Sequence, residues 1–173
     1  MRDAEFTDFV THRSPTLLRS AYLLCGGDHA AAEDLLQEVL ERVFPRWRRI
    51  RDNPEAYVRA ALVNAATNRW RHRSRRVTEA PLAIDVPAPP VAGPEQHILT
   101  HDLVVRALAT LPTRMRAVLV LRFFDDLSAA DTAAVLRCGV GTVKSQTSRG
   151  LARLREHLTP SATATTGAAD GQP

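Results

Sequence analysis

The sequence predicts an all-α protein: two small helical domains joined by a Pro-rich linker, the C-terminal one with a helix-turn-helix. Three observations predict it. Apolar residues recur at helical spacing, and no run alternates apolar and polar residues between turn signals, so strands have no signature. Proline stands at three places where it can open a helix, Ser14-Pro15, Asn53-Pro54 and Leu111-Pro112, because an N–H at the first helical position has no partner within the helix and Pro loses nothing by lacking it. Five of the eleven prolines crowd between Pro81 and Pro94, a stretch without either period that reads as an extended spacer. The 173 residues thus divide into 1–76, a linker at 77–96, a second domain at 97–158 and an Ala/Thr/Gly-rich tail at 159–173, which is expected to be disordered.

In the first domain, helices are expected at 4–12 and 15–25, parted by Ser14-Pro15. Gly26-Gly27 ends the second, and Asp28 can cap a third at 29–44, since its carboxylate accepts a free first-turn N–H. There Ala32, Leu35, Leu36, Val39, Leu40 and Val43 make one apolar stripe. Glu33, Asp34, Gln37, Glu38 and Glu41 lie toward the other face, either as a solvated surface or as a docking surface for a basic partner. Trp47 reads as core. A long helix at 54–75 follows, capped by Asn53, with Tyr57, Ala60, Ala61, Val63 and Ala65 as its packed side. Its end carries Arg69, Arg71, Arg73, Arg75 and Arg76. Cations near a helix C-terminus are stabilising, but five exceed that need, and guanidinium forks match phosphate oxygens. Trp70, inside this run, either packs or stacks on an exposed base.

In the second domain, helices are expected at 97–109, 112–124, 128–136 and 141–157. Phe123-Phe124 reads as core. Ser128 and Asp131 resemble a capping box, with Asp where Glu or Gln is usual, and Ala130, Ala133, Ala134 and Leu136 are placed to pack. Arg137-Cys138-Gly139 breaks the chain, and a second helix follows at the spacing of a helix-turn-helix. Val143, Leu151 and Leu154 would face inward, and Lys144, Ser145, Gln146, Ser148 and Arg149 outward. That chemistry suits base edges: Arg and Lys pair with guanine, Gln with adenine.

Charge placement agrees. The net +4 hides two basic blocks, +8 over residues 46–76 and +5 over 103–158, separated by acidic ones. Two basic surfaces on one small chain fit a polyanion touched twice. Other classes are excluded. No apolar run spans a bilayer, and the charged N-terminus lacks a signal-peptide core, so a cytoplasmic protein is expected. Cys25 and Cys138 lie far apart, outside any zinc spacing, and read as reduced thiols. His97 and His101 are at i, i+4 but have no acidic or Cys companions, so no metal is expected. No nucleophile or cofactor motif is present, and the chain is not expected to be an enzyme.

With both halves read, the chain resembles a sigma-70 family RNA polymerase sigma factor of the extracytoplasmic-function (ECF) type, over roughly residues 5–76 and 97–158. AEDLLQEVLERV (32–43) resembles region 2.2, where Asp34, Leu35, Gln37 and Glu38 match the motif. The resemblance implies that these residues, with Glu41, dock on the beta-prime clamp helices of core RNA polymerase. Residues 53–76 resemble regions 2.3 and 2.4, where the −10 element is opened and read. Asn53, Tyr57, Arg59, Asn64, Asn68, Arg69, Trp70, Arg71 and Arg73 are the implied contacts, and the loop at about Ile50–Ala56 is where a flipped base would be captured. Residues 108–136 resemble region 4.1 and the first helix of region 4.2. Residues 141–158 resemble the −35 recognition helix, implying contacts from Thr142, Lys144, Ser145, Gln146, Ser148 and Arg149. Implied partners are core polymerase, including the beta flap, promoter DNA and an anti-sigma factor.

The chain departs from the pattern at Arg137, where Gly is usual, at Gly139, where a Ser cap is usual, and at Asn68, where Asp is common. Regions 1.1 and 3 and an appended C-terminal domain are absent from the reading, as in the ECF group. The linker would reach about 65 Å at roughly 3.3 Å per residue, against about 70 Å for two turns of DNA. The family threads it near the polymerase active centre, where its acidic character would mimic nucleic acid. Two other classes stay open at this point. One is a stand-alone helix-turn-helix regulator with an N-terminal sensor or dimerisation module, and the other is a helical adaptor that binds only proteins.

Overall fold

The computed structural model describes residues 2–50, 53–76 and 95–158, and the side chains among them except Arg2, 71–76 and 95–100. The expected linker and tail lie outside these residues, apart from the linker's last two, which begin a helix. All regular structure among the described residues is helical: α1 (Arg2–Leu24), α2 (His29–Val43), a 3-10 turn (Phe44–Arg49), α3 (Pro54–Arg76), α4 (Glu95–Thr110), α5 (Thr113–Leu119) continuing into a π-helical turn (Val120–Phe124), α6 (Ala129–Leu136) and α7 (Val140–Leu158).

Ser14-Pro15 does not split the first helix. Pro15 lies inside the 23 residues of α1, although an interior proline costs about 3 kcal/mol. Packing on both sides of it offsets that cost. Before it, Phe6 and Phe9 lie against the buried Trp47, with ring centroids at 5.1 and 4.8 Å. After it, Leu17, Ala21, Leu23 and Leu24 are buried. The other caps fall where expected. Asp28 Oδ1 accepts the Ala31 N–H at 2.9 Å, and Asn53 Oδ1 accepts the Ala56 N–H at 3.0 Å.

On α3 the buried positions are Val58, Leu62, Val63, Ala65 and Ala66. Tyr57, expected to pack, is exposed, as is Trp70. Phe123 and Phe124, read as core, are 52% and 41% exposed. The π turn explains the reversal. The Asp125 N–H bonds the Val120 carbonyl, five residues back, at 3.0 Å. The extra residue in that turn rotates the face that a 3.6-residue period would bury. Val120 and Leu121 stay inside, and the two phenylalanines turn out. On α6, Thr132 and Ala133 are buried, while Ala130 and Ala134 are exposed.

One apolar core runs through both halves of the chain. It joins Leu17, Leu35, Val58 and Leu62 to Leu108, Met115, Leu119 and Leu121. The halves also meet through polar groups. Arg116, 9% exposed, donates from Nη1 to the Leu24 carbonyl at 3.0 Å. Its Nη2 donates to the carbonyls of Ala109 at 2.7 Å and Leu111 at 3.2 Å. Ser20 Oγ donates to Asp125 Oδ1 at 2.6 Å, and Arg59 Nη1 reaches the Asp125 carbonyl at 3.4 Å. Gly26 and Gly27, at φ +72° and +90°, form the corner where α1 meets α4. A Cβ on Gly27 would stand 2.6 Å from Val105 Cγ1.

Burial raises the Asp125 carboxyl above its ordinary value of 3.8, partly opposed by the Ser20 hydrogen bond and by Arg59. The folded state therefore holds this proton more tightly than the unfolded chain, and its contribution to stability falls as pH rises through and above that value. Asp125→Asn keeps an acceptor for Ser20 and removes the titration. Thermal melts from about pH 4 to 7 are expected to show a flatter pH dependence in the variant than in the native chain.

Gly150 sets the approach of α7 to α5. A Cβ there would lie 2.9 Å from Leu119 Cδ1 and 3.0 Å from Met115 Cγ. Gly150→Val is expected to cost about 1–3 kcal/mol by overpacking, read as a lower urea midpoint with unchanged slope.

Candidate nucleic-acid and polymerase interface

Three helical faces carry the residues singled out from the sequence. The first is α2. Its stripe Ala32, Leu35, Leu36, Val39 and Val43 is buried. Leu35 is 0% exposed, so it cannot touch a partner directly. It anchors the helix that presents its neighbours. Asp34, Gln37 and Glu41 are exposed, and Gln37 Nε2 donates to Glu41 Oε1 at 2.9 Å. Glu38 is partly turned inward. Its Oε2 accepts from Arg69 Nη2 at 2.7 Å and Nε at 3.0 Å, while its Oε1 accepts from Arg42.

The second face is α3. Asn53, Tyr57, Asn64 and Asn68 are exposed, and their spacing of 4, 7 and 4 residues keeps them on one side of the helix. Two other expected contacts are committed elsewhere. The Arg59 side chain is only 14% exposed, paired with Glu55 at 2.5 Å and bonded to the Asp125 carbonyl. It belongs to the seam between the halves and is not open to DNA here. Arg69 is held by Glu38 and by the Ala31 carbonyl at 3.3 Å. Trp70 shares a shallow cleft with Leu24, Cys25, Thr113 and Arg116. The side chains of Arg71, Arg73, Arg75 and Arg76 lie outside the described residues, as do residues 51–52 of the loop before α3.

The third face is the helix-turn-helix of α6 and α7. Ser128 Oγ accepts the Asp131 N–H at 3.0 Å and donates its hydroxyl to Asp131 Oδ2 at 2.5 Å. In a full capping box the carboxylate returns to the cap's backbone N–H. Asp, one carbon shorter than Glu, bonds the hydroxyl instead. Arg137 takes φ 51°, ψ 51°, the left-handed conformation that its position in the motif demands. The Gly139 carbonyl then accepts the N–H groups of Thr142 and Val143, starting α7. Val143 is fully buried against Val118 and Ala133, and this seat turns Thr142, Lys144, Ser145, Ser148 and Arg149 outward. Gln146 is half-buried. Ser145 spends its hydroxyl proton on the Thr142 carbonyl at 3.0 Å, which leaves its oxygen as an acceptor.

Sequence reasoning missed the seam residues Ser20, Arg116 and Asp125 and the Glu38–Arg69 pair. Arg116 carried a signal: it stands between Met115 and Ala117 in an otherwise apolar run, where a charge must find buried partners. The partners of the other groups lie tens of residues away and left no periodic trace.

Among the described residues all regular structure is helical, and a helix-turn-helix beside a second, Asn- and Arg-bearing helix is the build of a DNA-binding transcription protein. The family models Sigma-70 region 2 and Sigma-70, region 4 match residues 9–76 and 101–154. The chain is 40% identical over 156 residues to the RNA polymerase sigma-E factor of Streptomyces coelicolor, covering 89% of this chain and 86% of that protein. The ECF RNA polymerase sigma factor SigE of Mycolicibacterium smegmatis is 32% identical over 157 residues, covering 87% of this chain and 60% of that one. The co-crystal structure of the sigma factor RpoE with the anti-sigma factor NepR from Bartonella quintana matches with a TM-score of 0.74 and 26% identity, over 91% of this chain and 98% of that chain. The chain belongs to the sigma-70 family of RNA polymerase sigma factors, in its ECF group, and directs transcription initiation. Among the described residues, no helix is long and apolar enough to cross a membrane.

The left-handed Arg137 makes a prediction. A non-glycine residue there costs on the order of 1 kcal/mol. Arg137→Gly is therefore expected to raise the stability of the chain by about 0.5–1 kcal/mol in urea titration, less the entropy that Gly adds to the unfolded chain.

Proposed function

We propose that the three faces divide the work of initiation. Asp34, Gln37, Glu38 and Glu41 on α2 dock on the beta-prime clamp helices of core polymerase, backed by the buried Leu35. Asn53, Tyr57, Asn64, Asn68 and Trp70 on α3 hold the opened −10 element, and Arg71 and Arg73 are assigned to its phosphates, while Arg69 stays bonded to Glu38. Thr142, Lys144, Ser145, Gln146, Ser148 and Arg149 on α7 read the −35 element in the major groove, and the C-terminal half meets the beta flap. The observation that supports this most is the pair of exposed polar stripes on α3 and α7, each on a helix whose other side is buried in core.

No side-chain nucleophile or cofactor takes part, and the chain acts as a binding factor rather than an enzyme, in the cytoplasm. Opening is driven by capture: contacts to extruded bases offset an unpairing cost of a few kcal/mol per base. The structural relative was crystallised with an anti-sigma factor, and a protein partner of that class is proposed here too.

Transcription in vitro with core polymerase tests the reading. The chain should yield promoter-specific transcripts. Asp34→Ala/Gln37→Ala, both exposed positions, should weaken core binding by about tenfold or more, a loss of roughly 1.4 kcal/mol, with an unchanged thermal melt. Binding of duplex promoter without polymerase, together with full activity of the double variant, would favour the stand-alone regulator.

A further inference from the structure

We propose that Cys25 is a modification site: a thiol that hydrogen peroxide oxidises reversibly to a sulfenic acid, whose oxygen is then held by Thr113 and Arg116. The site is a cleft at the end of α1, and it does not depend on how the polymerase and promoter faces are assigned.

The first argument is the charge beside the sulfur. Cys25 follows the last residue of α1 and is half-buried. Its neighbours on both sides meet Arg116. The Leu24 carbonyl accepts from Nη1 at 3.0 Å, and a Cβ on Gly26 would begin 2.9 Å from the same nitrogen. Cys25 lines one cleft with Arg69, Trp70, Thr113 and Arg116. The two guanidinium groups in it differ. Arg69 is engaged by the Glu38 carboxylate through two bonds. Arg116 donates to three backbone carbonyls and, among the described residues, is bonded to no carboxylate. Burial lowers the Arg116 pKa, and the charge of a Cys25 thiolate opposes that. The attraction is mutual, and a cation beside a thiol favours the nucleophilic thiolate. The C-terminal end of α1 carries partial negative charge that works the other way, and Arg116 sits on that end.

The second argument is what the cleft lacks. Thr113 is 6% exposed and Arg116 9%. Among the described residues, Thr113 Oγ1 and Arg116 Nε have no hydrogen-bond partner. Buried donors left unmet are costly, and a thiol sulfur is only a weak acceptor. Oxidation puts an oxygen on that sulfur, an acceptor of the kind both atoms need. Cys138 is the internal contrast. It too is half-buried, but it packs against Val118, Ala133 and Val143.

The step balances with hydrogen peroxide as oxidant. The thiol gives its proton to water, and the sulfur lone pair attacks one peroxide oxygen. The S–O bond forms as the O–O bond breaks, and hydroxide leaves with the bonding pair and takes up a proton. Sulfur loses two electrons and peroxide gains them. Dithiothreitol reverses the change: its first thiol displaces the oxygen as water to form a mixed disulfide, and its second releases Cys25.

The test treats the full chain with hydrogen peroxide and dimedone, which captures sulfenic acids, and quantifies both cysteine peptides by mass spectrometry. Cys25 is expected to be labelled about tenfold faster than Cys138 in the folded chain, and at a similar rate in urea, where the cleft is gone. Labelling of Cys25 no faster than Cys138 in the folded chain would overturn the site. Thr113→Val keeps the side chain's volume and removes the hydroxyl. With peroxide removed by catalase and dimedone added after increasing delays, this variant is expected to lose the Cys25 sulfenic acid several-fold faster than the unaltered chain. An equal lifetime overturns the proposal. Should the variant not fold, the unaltered chain decides: a Cys25 to Cys138 labelling ratio that stays the same on unfolding overturns the site, and one that collapses in urea supports it.

Discussion

Arg116 shows how the two halves are fastened. Its guanidinium lies where the ends of α1 and α4 converge, and it bonds Leu24 at the end of one and Ala109 and Leu111 at the end of the other. Carbonyls at helix C-termini carry a partial negative charge. Two helix ends therefore stand in for the carboxylate a buried Arg usually requires, and burial still lowers the guanidinium's pKa. The arrangement depends on Gly26. A side chain there would begin 2.9 Å from Arg116 Nη1. The Gly-Gly corner serves the turn through its positive φ and the seam through its lack of bulk.

A second fastening lies within the N-terminal half. Glu38 lies on the side of α2 proposed to dock on polymerase yet holds Arg69 of α3 by two bonds. The proposed docking helix and the proposed −10 helix are thus joined by a charge-assisted pair as well as by the core between them. Such a pair, a third exposed on each side chain, is worth little as stability. It matters more as orientation, because it fixes the Arg69 fork relative to α2.

Much of this was legible in the residues. The α2 stripe repeats at one period over its whole length, and Asp28 and Asn53 cap as their chemistry predicts. The break at Arg137-Cys138-Gly139 lies within the turn. What was not legible has three physical causes. Pro15 reads as a boundary locally, but tertiary packing of Phe9 and Leu17 overrides it. Phe123 and Phe124 obey the helical period until a π turn adds a residue, and no composition signals that. Leu35 and Arg59 match a family pattern that reports residue type and not direction, so the pattern could not tell a helix's anchor or a seam residue from a contact.

The seat of α7 has a consequence for how such a protein diversifies. Val143 and Gly150 fit α7 against its support, and both are buried on the side away from the positions proposed to meet DNA. Outward residues can be exchanged without moving the helix, and the seat can be conserved without dictating which bases are preferred. Binding preference and foldedness are therefore written on opposite sides of the same nineteen residues, and a lineage can vary the first while leaving the second untouched.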